Sequence, residues 1–84
     1  MDNLVEEYLR YLTVERGLAE NSLAAYGRDL RRIVGYFKQA GVGSFQEVGR
    51  GHVARLLLAL REEGLAPRTV ARRTSSLRGL YRYL

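Results

Sequence analysis

The stretch ENSLAAYGRDLRRIVGYFKQA, residues 20–40, is the most regular segment of this 84-residue sequence. At about 100° per residue, its large apolar side chains fall within one sector of roughly 100°. They are Leu23, Tyr26, Leu30, Ile33, Val34 and Phe37. Asn21, Arg28 and Arg32 project from the opposite side. The pattern predicts an amphipathic helix with one side in a core and an open basic side.

Two further segments show helical periodicity and end at glycines. The first covers residues 2–16, and Gly17 ends it by accepting a left-handed conformation. The second starts at residue 49 or 50 and ends at Gly64. Their predicted apolar stripes are Leu4, Val5, Tyr8, Leu9 and Leu12 in the first, and Val53, Leu56, Leu57 and Leu60, widened by Leu58, in the second. Between the second and third helices, Ser44 and Glu47 have the spacing of a capping box or one short turn.

A last helix is predicted over residues 67–84, because Pro67 fits the first helical position. Its expected core side is Val70, Leu77, Tyr81 and Leu84, with Thr74 and Leu80 at the margins. The far side carries Arg68, Arg72, Ser75 and Gly79, flanked by Ser76, Arg78 and Arg82. Arginine and serine along one exposed face suit contacts to phosphates and base edges. No breaker follows this helix, so we expect a longer parent protein. With no period-two alternation, the fold class is an all-α bundle of four helices.

The net charge of +5 comes from one half of the chain. Residues 1–42 carry six basic and six acidic groups, whereas residues 43–84 carry eight arginines and three acids. Such a concentration favours a polyanionic partner, nucleic acid before an anionic membrane. GC-rich coding or a hot habitat also produces such an excess of arginine, so charge alone leaves both interpretations open.

Several function classes lack the residues they need. Without cysteine there is no disulfide scaffold and no thiolate metal site, which fits a cytoplasmic location. His52 is the only histidine, so a surface or capping role is expected rather than metal binding. No nucleophile is paired with a base, and no GxxxxGK loop is present. We therefore expect a segment that is not catalytic and needs no metal or cofactor.

Two segments resemble a known family. The run GLAENSLAAY at residues 17–26, continued by Arg28-Asp29-Leu30, resembles the second-helix segment of Xer-like tyrosine recombinases and phage integrases. Residues 65–84, with Ala71-Arg72-Arg73 and Leu80-Tyr81-Arg82-Tyr83-Leu84, are similar to the fourth helix of their N-terminal domain. The resemblance covers the whole chain. It implies a SAM-like core-binding domain over residues 1–84, folded as an orthogonal four-helix bundle, with a catalytic domain downstream.

The resemblance also implies a binding mode. In that family the domain packs on one side of double-stranded DNA through its second and fourth helices, while the catalytic domain holds the other side and further protomers join in a synaptic complex. The positions that match the family pattern are Asn21, Ser22, Arg28, Arg72, Ser75 and Arg78. Helix geometry adds Arg32, Arg68, Thr69 and Ser76 as DNA-binding candidates.

Two other classes remain open at this stage. Small SAM-like bundles also serve as protein–protein interaction modules, and Tyr36, Leu58 and Tyr83 are candidates for exposed apolar contacts. A membrane-surface helix is disfavoured, because the fourth helix needs its Val70 and Leu77 side for the core. A steep salt dependence of DNA binding separates the first alternative from the DNA-binding hypothesis.

Overall fold

The structure, a computed structural model, describes residues 1–84. It contains α1 (Asp2–Val14), α2 (Glu20–Gln39), α3 (Arg50–Glu62) and α4 (Pro67–Tyr83), with a one-turn 3₁₀ helix at Phe45–Glu47 between α2 and α3. There is no β-strand. The predicted all-α class and the four helices are therefore confirmed. None of the helices combines the length and the apolar character that spanning a membrane requires.

The helix ends follow local chemistry. Gly17 and Gly64 have φ angles of +58° and +73°, a region that suits glycine, so α1 and α3 stop just before them. The prediction placed the end of α1 two residues too late, since the helix closes at Val14. At the 3₁₀ turn, a Glu47 carboxylate oxygen accepts hydrogen bonds from the Gly43 and Ser44 N–H groups at 2.6 and 3.0 Å. The expected Ser-x-x-Glu turn is confirmed.

His52 lies in the first turn of α3. Its Nδ1 accepts a hydrogen bond of 2.9 Å from the Gly49 N–H, which would otherwise have no partner at the helix start. The histidine therefore has the capping role that the sequence predicted.

The core forms around α2, which contacts each of the other three helices. Its buried apolar side, Leu30, Ile33, Val34 and Phe37, matches the stripe read from the sequence. Buried side chains of the other elements surround it; they are Val5, Tyr8, Leu12, Val42, Phe45, Leu56, Leu60, Leu77 and Leu80. Burying these groups provides the main driving force for folding.

The buried side of α4 differs from the prediction. Leu80, expected at the margin, is fully buried, together with Arg73, Ser76 and Leu77. Tyr81 and Leu84, expected in the core, are exposed. At about 100° per residue, the observed stripe is rotated by roughly 60° from the predicted one. The reason is that two polar residues, Arg73 and Ser76, occupy buried positions that a hydrophobicity pattern assigns to solvent.

One residue of α3 is also corrected. Leu58 was taken to widen the apolar stripe, but 56% of its surface is exposed. The buried side of α3 consists of Leu56 and Leu60, one turn apart, with Val53 and Leu57 half-buried beside them. A narrow stripe suffices because α3 contacts the bundle only through α2 and α4.

Candidate nucleic-acid interface

The open sides of α2 and α4 carry most of the predicted DNA-binding residues. Seven of these are exposed: Asn21, Ser22, Arg28 and Arg32 on α2, and Arg68, Ser75 and Arg78 on α4. None of their four arginines takes part in an ion pair. Their guanidinium groups therefore remain free to meet an anionic partner.

The observed rotation of α4 explains why its basic residues face solvent. Relative to the observed buried stripe, the direction opposite the core is occupied by Arg68, Ser75, Arg78 and Arg82, with Ala71 between them. These residues recur at three- and four-residue spacing along one exposed side, as neighbours on a helix do. The basic side of α4 is thus continuous over most of the helix length.

Arg72 is positioned differently, at the contact between α4 and α2. Its Nε donates to Asp29 Oδ2 at 2.7 Å and one of its terminal nitrogens donates to Oδ1 at 3.1 Å. This is the two-pronged geometry in which guanidinium and carboxylate fit best. The Asp29 side chain is 2% exposed, whereas that of Arg72 is 40% exposed. The charge of Arg72 is therefore partly neutralised by Asp29 inside the protein, while the outer edge of the guanidinium remains exposed to solvent.

The ion pair changes the acid–base behaviour of Arg72. The hydrogen bond to Asp29, reinforced by the charge of that carboxylate, raises the pKa of Arg72 above its ordinary value. The guanidinium is accordingly charged near neutral pH, as arginine is in proteins generally.

A second arginine uses the same carboxylate. Arg73 Nε donates to Asp29 Oδ1 at 3.3 Å, and its Nη1 donates to Glu63 at 3.4 Å. Arg73 is almost fully buried, so these bonds lie largely away from water. The side chain links α4 to α2 and to the segment just after α3. A single aspartate thus sets how α4 lies against α2.

Sequence reasoning missed the roles of Asp29 and Arg73. Both were quoted in the family resemblance, yet neither was given a structural role. A signal was present in the sequence, because Asp29 lies one turn before Ile33 and borders the apolar stripe of α2. An acid at such a position needs a buried cation, and the adjacent arginines of α4 supply two.

Ser76 does not lie where helix geometry placed it. It is 1% exposed, and its hydroxyl donates to the Arg72 carbonyl oxygen at 3.0 Å. Buried on the side of α4 that faces the bundle, it cannot reach a partner outside. Its assignment as a DNA-binding candidate is therefore corrected. Thr69 is half-buried in the first turn of α4 and retains partial access.

The residues so assembled define a class of protein: a small four-helix bundle whose arginine-bearing helices are joined by a buried carboxylate. Residues 5–84 match the family model described as phage integrase, N-terminal SAM-like domain. The chain belongs to this family. The resemblance to Xer-like tyrosine recombinases and phage integrases is thereby confirmed.

Relatives extend over the whole chain. It is 40% identical over 84 residues to tyrosine recombinase XerC of Herpetosiphon aurantiacus, and 37% identical over 84 residues to XerC of Pseudomonas putida. It is 40% identical over 85 residues to tyrosine recombinase XerD of Listeria monocytogenes. All of this chain is covered in each case, but only 28%, 28% and 29% of the respective relatives. No solved structure matches the chain significantly.

Proposed function

We propose that this chain is the DNA-binding N-terminal domain of a site-specific tyrosine recombinase, which holds one side of a recombination site through α2 and α4. The observation that carries this proposal is the pair of open basic sides. Four of the predicted arginines, all exposed and without an ion pair, lie on these two helices, which are packed against each other. Duplex DNA, with its dense line of phosphates, is the partner that such an arrangement suits.

Two kinds of contact are assigned. Arg28, Arg32, Arg68 and Arg78 neutralise phosphates, because their charges are exposed and unpaired. Asn21, Ser22 and Ser75, which are shorter and can both donate and accept hydrogen bonds, lie nearer to base edges or sugars. Thr69 contributes at the start of α4.

Arg72 has a separate role in this scheme. Asp29 holds the guanidinium in one orientation, so little side-chain entropy is lost when its outer edge meets a base or a phosphate. Asp29 is accordingly a positioning residue, which acts on DNA only through Arg72. Its buried bond to Arg73 fixes α4 against α2 and hence the relative placement of the two basic sides.

Catalysis is assigned to another part of the parent protein. The relatives are named tyrosine recombinases and are more than three times as long as the aligned segment. Within this chain the one side-chain hydrogen bond of a tyrosine joins Tyr81 to the Phe45 carbonyl oxygen, so no tyrosine is hydrogen-bonded to a general base. We infer that strand cleavage belongs to a catalytic domain of the same parent chain, and that further recombinase protomers complete the assembly on DNA.

The salt dependence of binding tests the proposal. If about four phosphates are neutralised, log affinity for a duplex should fall against log salt with a slope near −4, at about 0.9 per phosphate. Arg68→Ala should reduce that slope by about one and weaken binding to all sequences alike. Arg72→Ala should cost about 1–3 kcal/mol and relax preference at one position if it reads a guanine. Fluorescence anisotropy at several salt concentrations measures both.

Arg10→Ala is the matched control, because Arg10 is an exposed arginine without an ion pair on α1, away from both basic sides. It should leave affinity and slope unchanged. Equal losses for Arg10→Ala and Arg68→Ala, or a flat salt dependence of the unmodified chain, would refute the proposal. A flat dependence would favour the protein–protein interaction module instead, for which the exposed Leu58 is the natural contact.

A further inference from the structure

A second site lies where the end of α1, the loop before α2 and the last turns of α4 meet. The surface there is a cleft of about 280 Å³, lined by residues that include Tyr8, Tyr11, Tyr26 and Tyr83 together with Arg16 and Arg82. We call it the tyrosine cleft. Four of the six tyrosines of the chain are gathered here, from three helices.

The polar groups of the tyrosine cleft lack partners in the protein. Tyr81, outside the cleft, donates its hydroxyl to the Phe45 carbonyl oxygen at 2.9 Å. No tyrosine that lines the cleft forms a comparable hydrogen bond, and neither Arg16 nor Arg82 forms an ion pair. No acidic residue lines the cleft. A cavity that gathers tyrosine hydroxyls and two cations but no carboxylate is suited to an anion with several oxygen atoms.

Tyr8 supplies a hydrogen-bond donor to the tyrosine cleft, its hydroxyl group. Its residue surface is only 6% exposed, and its hydroxyl contacts Gly79, which also lines the cleft. Every side-chain nitrogen or oxygen that is fully sealed from solvent has a hydrogen-bond partner. The unpartnered Tyr8 hydroxyl is therefore reachable, and the cleft is the way to it. A donor that keeps solvent access beside a small cavity is positioned to bind a ligand that enters it.

The electrostatics favour a negative ligand. Burial raises the pKa of Tyr8 above its ordinary value, so the hydroxyl stays protonated and able to donate near neutral pH. Arg16 and Arg82 line the same cleft and form no ion pair, so neither positive charge is neutralised by a neighbouring carboxylate. Their field attracts an anion to the point where the donor lies.

The aromatic rings restrict the ligand further. Tyr83 packs against Tyr11 and Tyr8 with ring centroids 4.9 and 5.4 Å apart, so the three rings support one another. Tyr83 is nevertheless 39% exposed, which leaves ring surface open for a flat partner. Nucleobases stack on such rings with little regard to sequence, and arginines beside them bind the phosphate. A volume of about 280 Å³ is at the lower end for ligand pockets and suits one nucleotide rather than several.

We propose that the tyrosine cleft binds a single unpaired nucleotide, with the base against Tyr83, the phosphate between Arg16 and Arg82, and the Tyr8 hydroxyl donating to a ligand oxygen. The unit can come from two sources, a free mononucleotide or an unpaired position of a DNA strand. Their recognition chemistry at this site is the same. The site shares Arg82 with the basic side of α4 and is otherwise separate from the residues proposed to bind duplex DNA.

Chemical-shift titration of the ¹⁵N-labelled chain tests the proposal. Thymidine monophosphate should shift the backbone amides of Gly79 and Arg82 saturably, while those of Arg28 and Arg68 stay in place. Thymidine, which lacks the phosphate, should bind at least about tenfold more weakly, the usual weight of a charge-assisted contact. A short oligothymidylate that binds more tightly than the monophosphate identifies a strand as the source, and equal affinity identifies the free nucleotide.

Three variants separate the site from nonspecific attraction. Arg82→Ala should weaken nucleotide binding about tenfold or more, and Tyr8→Phe, which removes only the hydroxyl, about three- to tenfold. Arg55→Ala removes an exposed cation of α3, a helix that does not contact α1, and should have no effect. Absence of saturable shifts, shifts that extend to Arg28 and Arg68, or equal losses for Arg55→Ala and Arg82→Ala would overturn the proposal. Duplex binding by the Tyr8→Phe chain should remain intact, so failure here is distinguishable from failure of the DNA-binding function.

Discussion

The two halves of α4 are held in the bundle by different chemistry. Its first half contacts α2 through charge, with Arg72 and Arg73 both bonded to the buried Asp29. Its second half contacts α1 through close steric packing, because Gly79 lies directly against the Tyr8 hydroxyl. Tyr83 completes this aromatic contact.

The difference shows that the rotation of α4 about its own axis and its distance from α1 are set by separate contacts. A carboxylate between two guanidinium groups is directional, so it determines which side of α4 faces α2. A glycine against a ring has no direction but limits how near two helices can approach. The open basic side of α4 depends on the first constraint, and the tyrosine cleft depends on the second.

Removing the charge contact should have the largest effect on stability. Asp29→Ala leaves Arg73 buried without its central partner, and we expect the free energy of unfolding to fall by about 3–5 kcal/mol. Glu6→Ala is the matched control, since it breaks the exposed Arg31–Glu6 pair of 2.8 Å and should cost less than about 1 kcal/mol. Urea denaturation followed by circular dichroism measures both.

A compensating variant sharpens this test. If the loss comes from an uncompensated buried charge, adding Arg73→Leu to Asp29→Ala should restore part of the stability, because no buried cation then remains unpaired on that side. A double variant less stable than Asp29→Ala alone would contradict the assignment, as would similar losses for Asp29→Ala and Glu6→Ala.

The packing of Gly79 against Tyr8 should show the next largest effect on stability. Gly79→Ala places a methyl group against the Tyr8 hydroxyl, and we expect a loss of about 1–3 kcal/mol from overpacking. Gly35→Ala is the control, because no atom lies within 4 Å of the added carbon on the exposed side of α2. It should stabilise the domain by about 0.5–1 kcal/mol through helix propensity. Thermal denaturation measures the pair.

A second substitution identifies the atom that causes the loss of stability in Gly79→Ala. The added carbon meets the Tyr8 hydroxyl oxygen far more closely than the ring carbon that bears it, which lies at 3.5 Å. Tyr8→Phe combined with Gly79→Ala should therefore recover most of the loss. If the double variant is no more stable than Gly79→Ala alone, the helices approach each other through other contacts.

The smallest expected effect is a change of stability with pH, and it distinguishes the two halves of α4. Burial raises the pKa of Tyr8 above its ordinary value of 10.0, so the folded state binds this proton more tightly than the unfolded state. The stabilisation is complete below pH 10.0 and is lost as the pH rises through the folded-state value. A thermal denaturation series from neutral to alkaline pH should show this decline.

Tyr8→Phe should flatten part of the alkaline decline, and Tyr81→Phe another part, since burial raises the pKa of Tyr81 as well. Asp29→Ala should leave the part of the decline that Tyr8 contributes unchanged, because Asp29 is not among the groups that shift the pKa of Tyr8. An alkaline slope that is identical in the unmodified and Tyr8→Phe chains would place the titrating group elsewhere.

Most of the fold was predictable from local patterns. The apolar stripe of α2 recurs with a period of 3.6, and Gly17, Gly64, Pro67 and the Ser44–Glu47 spacing mark element boundaries through their backbone chemistry. These signals lie within one turn of the chain, so no tertiary contact is needed to interpret them. The exposed positions of Arg28, Arg32, Arg68 and Arg78 followed from the same periodicity.

The rest depended on groups distant in the chain. Asp29 and Arg72 are 43 residues apart, and no periodicity within one helix shows that a polar side chain will meet its counter-charge in another. A hydrophobicity pattern consequently assigns Arg73 and Ser76 to solvent and Leu84 to the core.

The sequence by itself determined the helices, their boundaries, the core side of α2 and the family, because helical periodicity, glycine and proline act locally. Only the tertiary structure decided the rotation of α4, the burial of Ser76, the bond between Arg72 and Asp29, and the gathering of four tyrosines around one cleft. The physical reason is that a buried polar group is stable only with its partner, and that partner is chosen by packing in three dimensions.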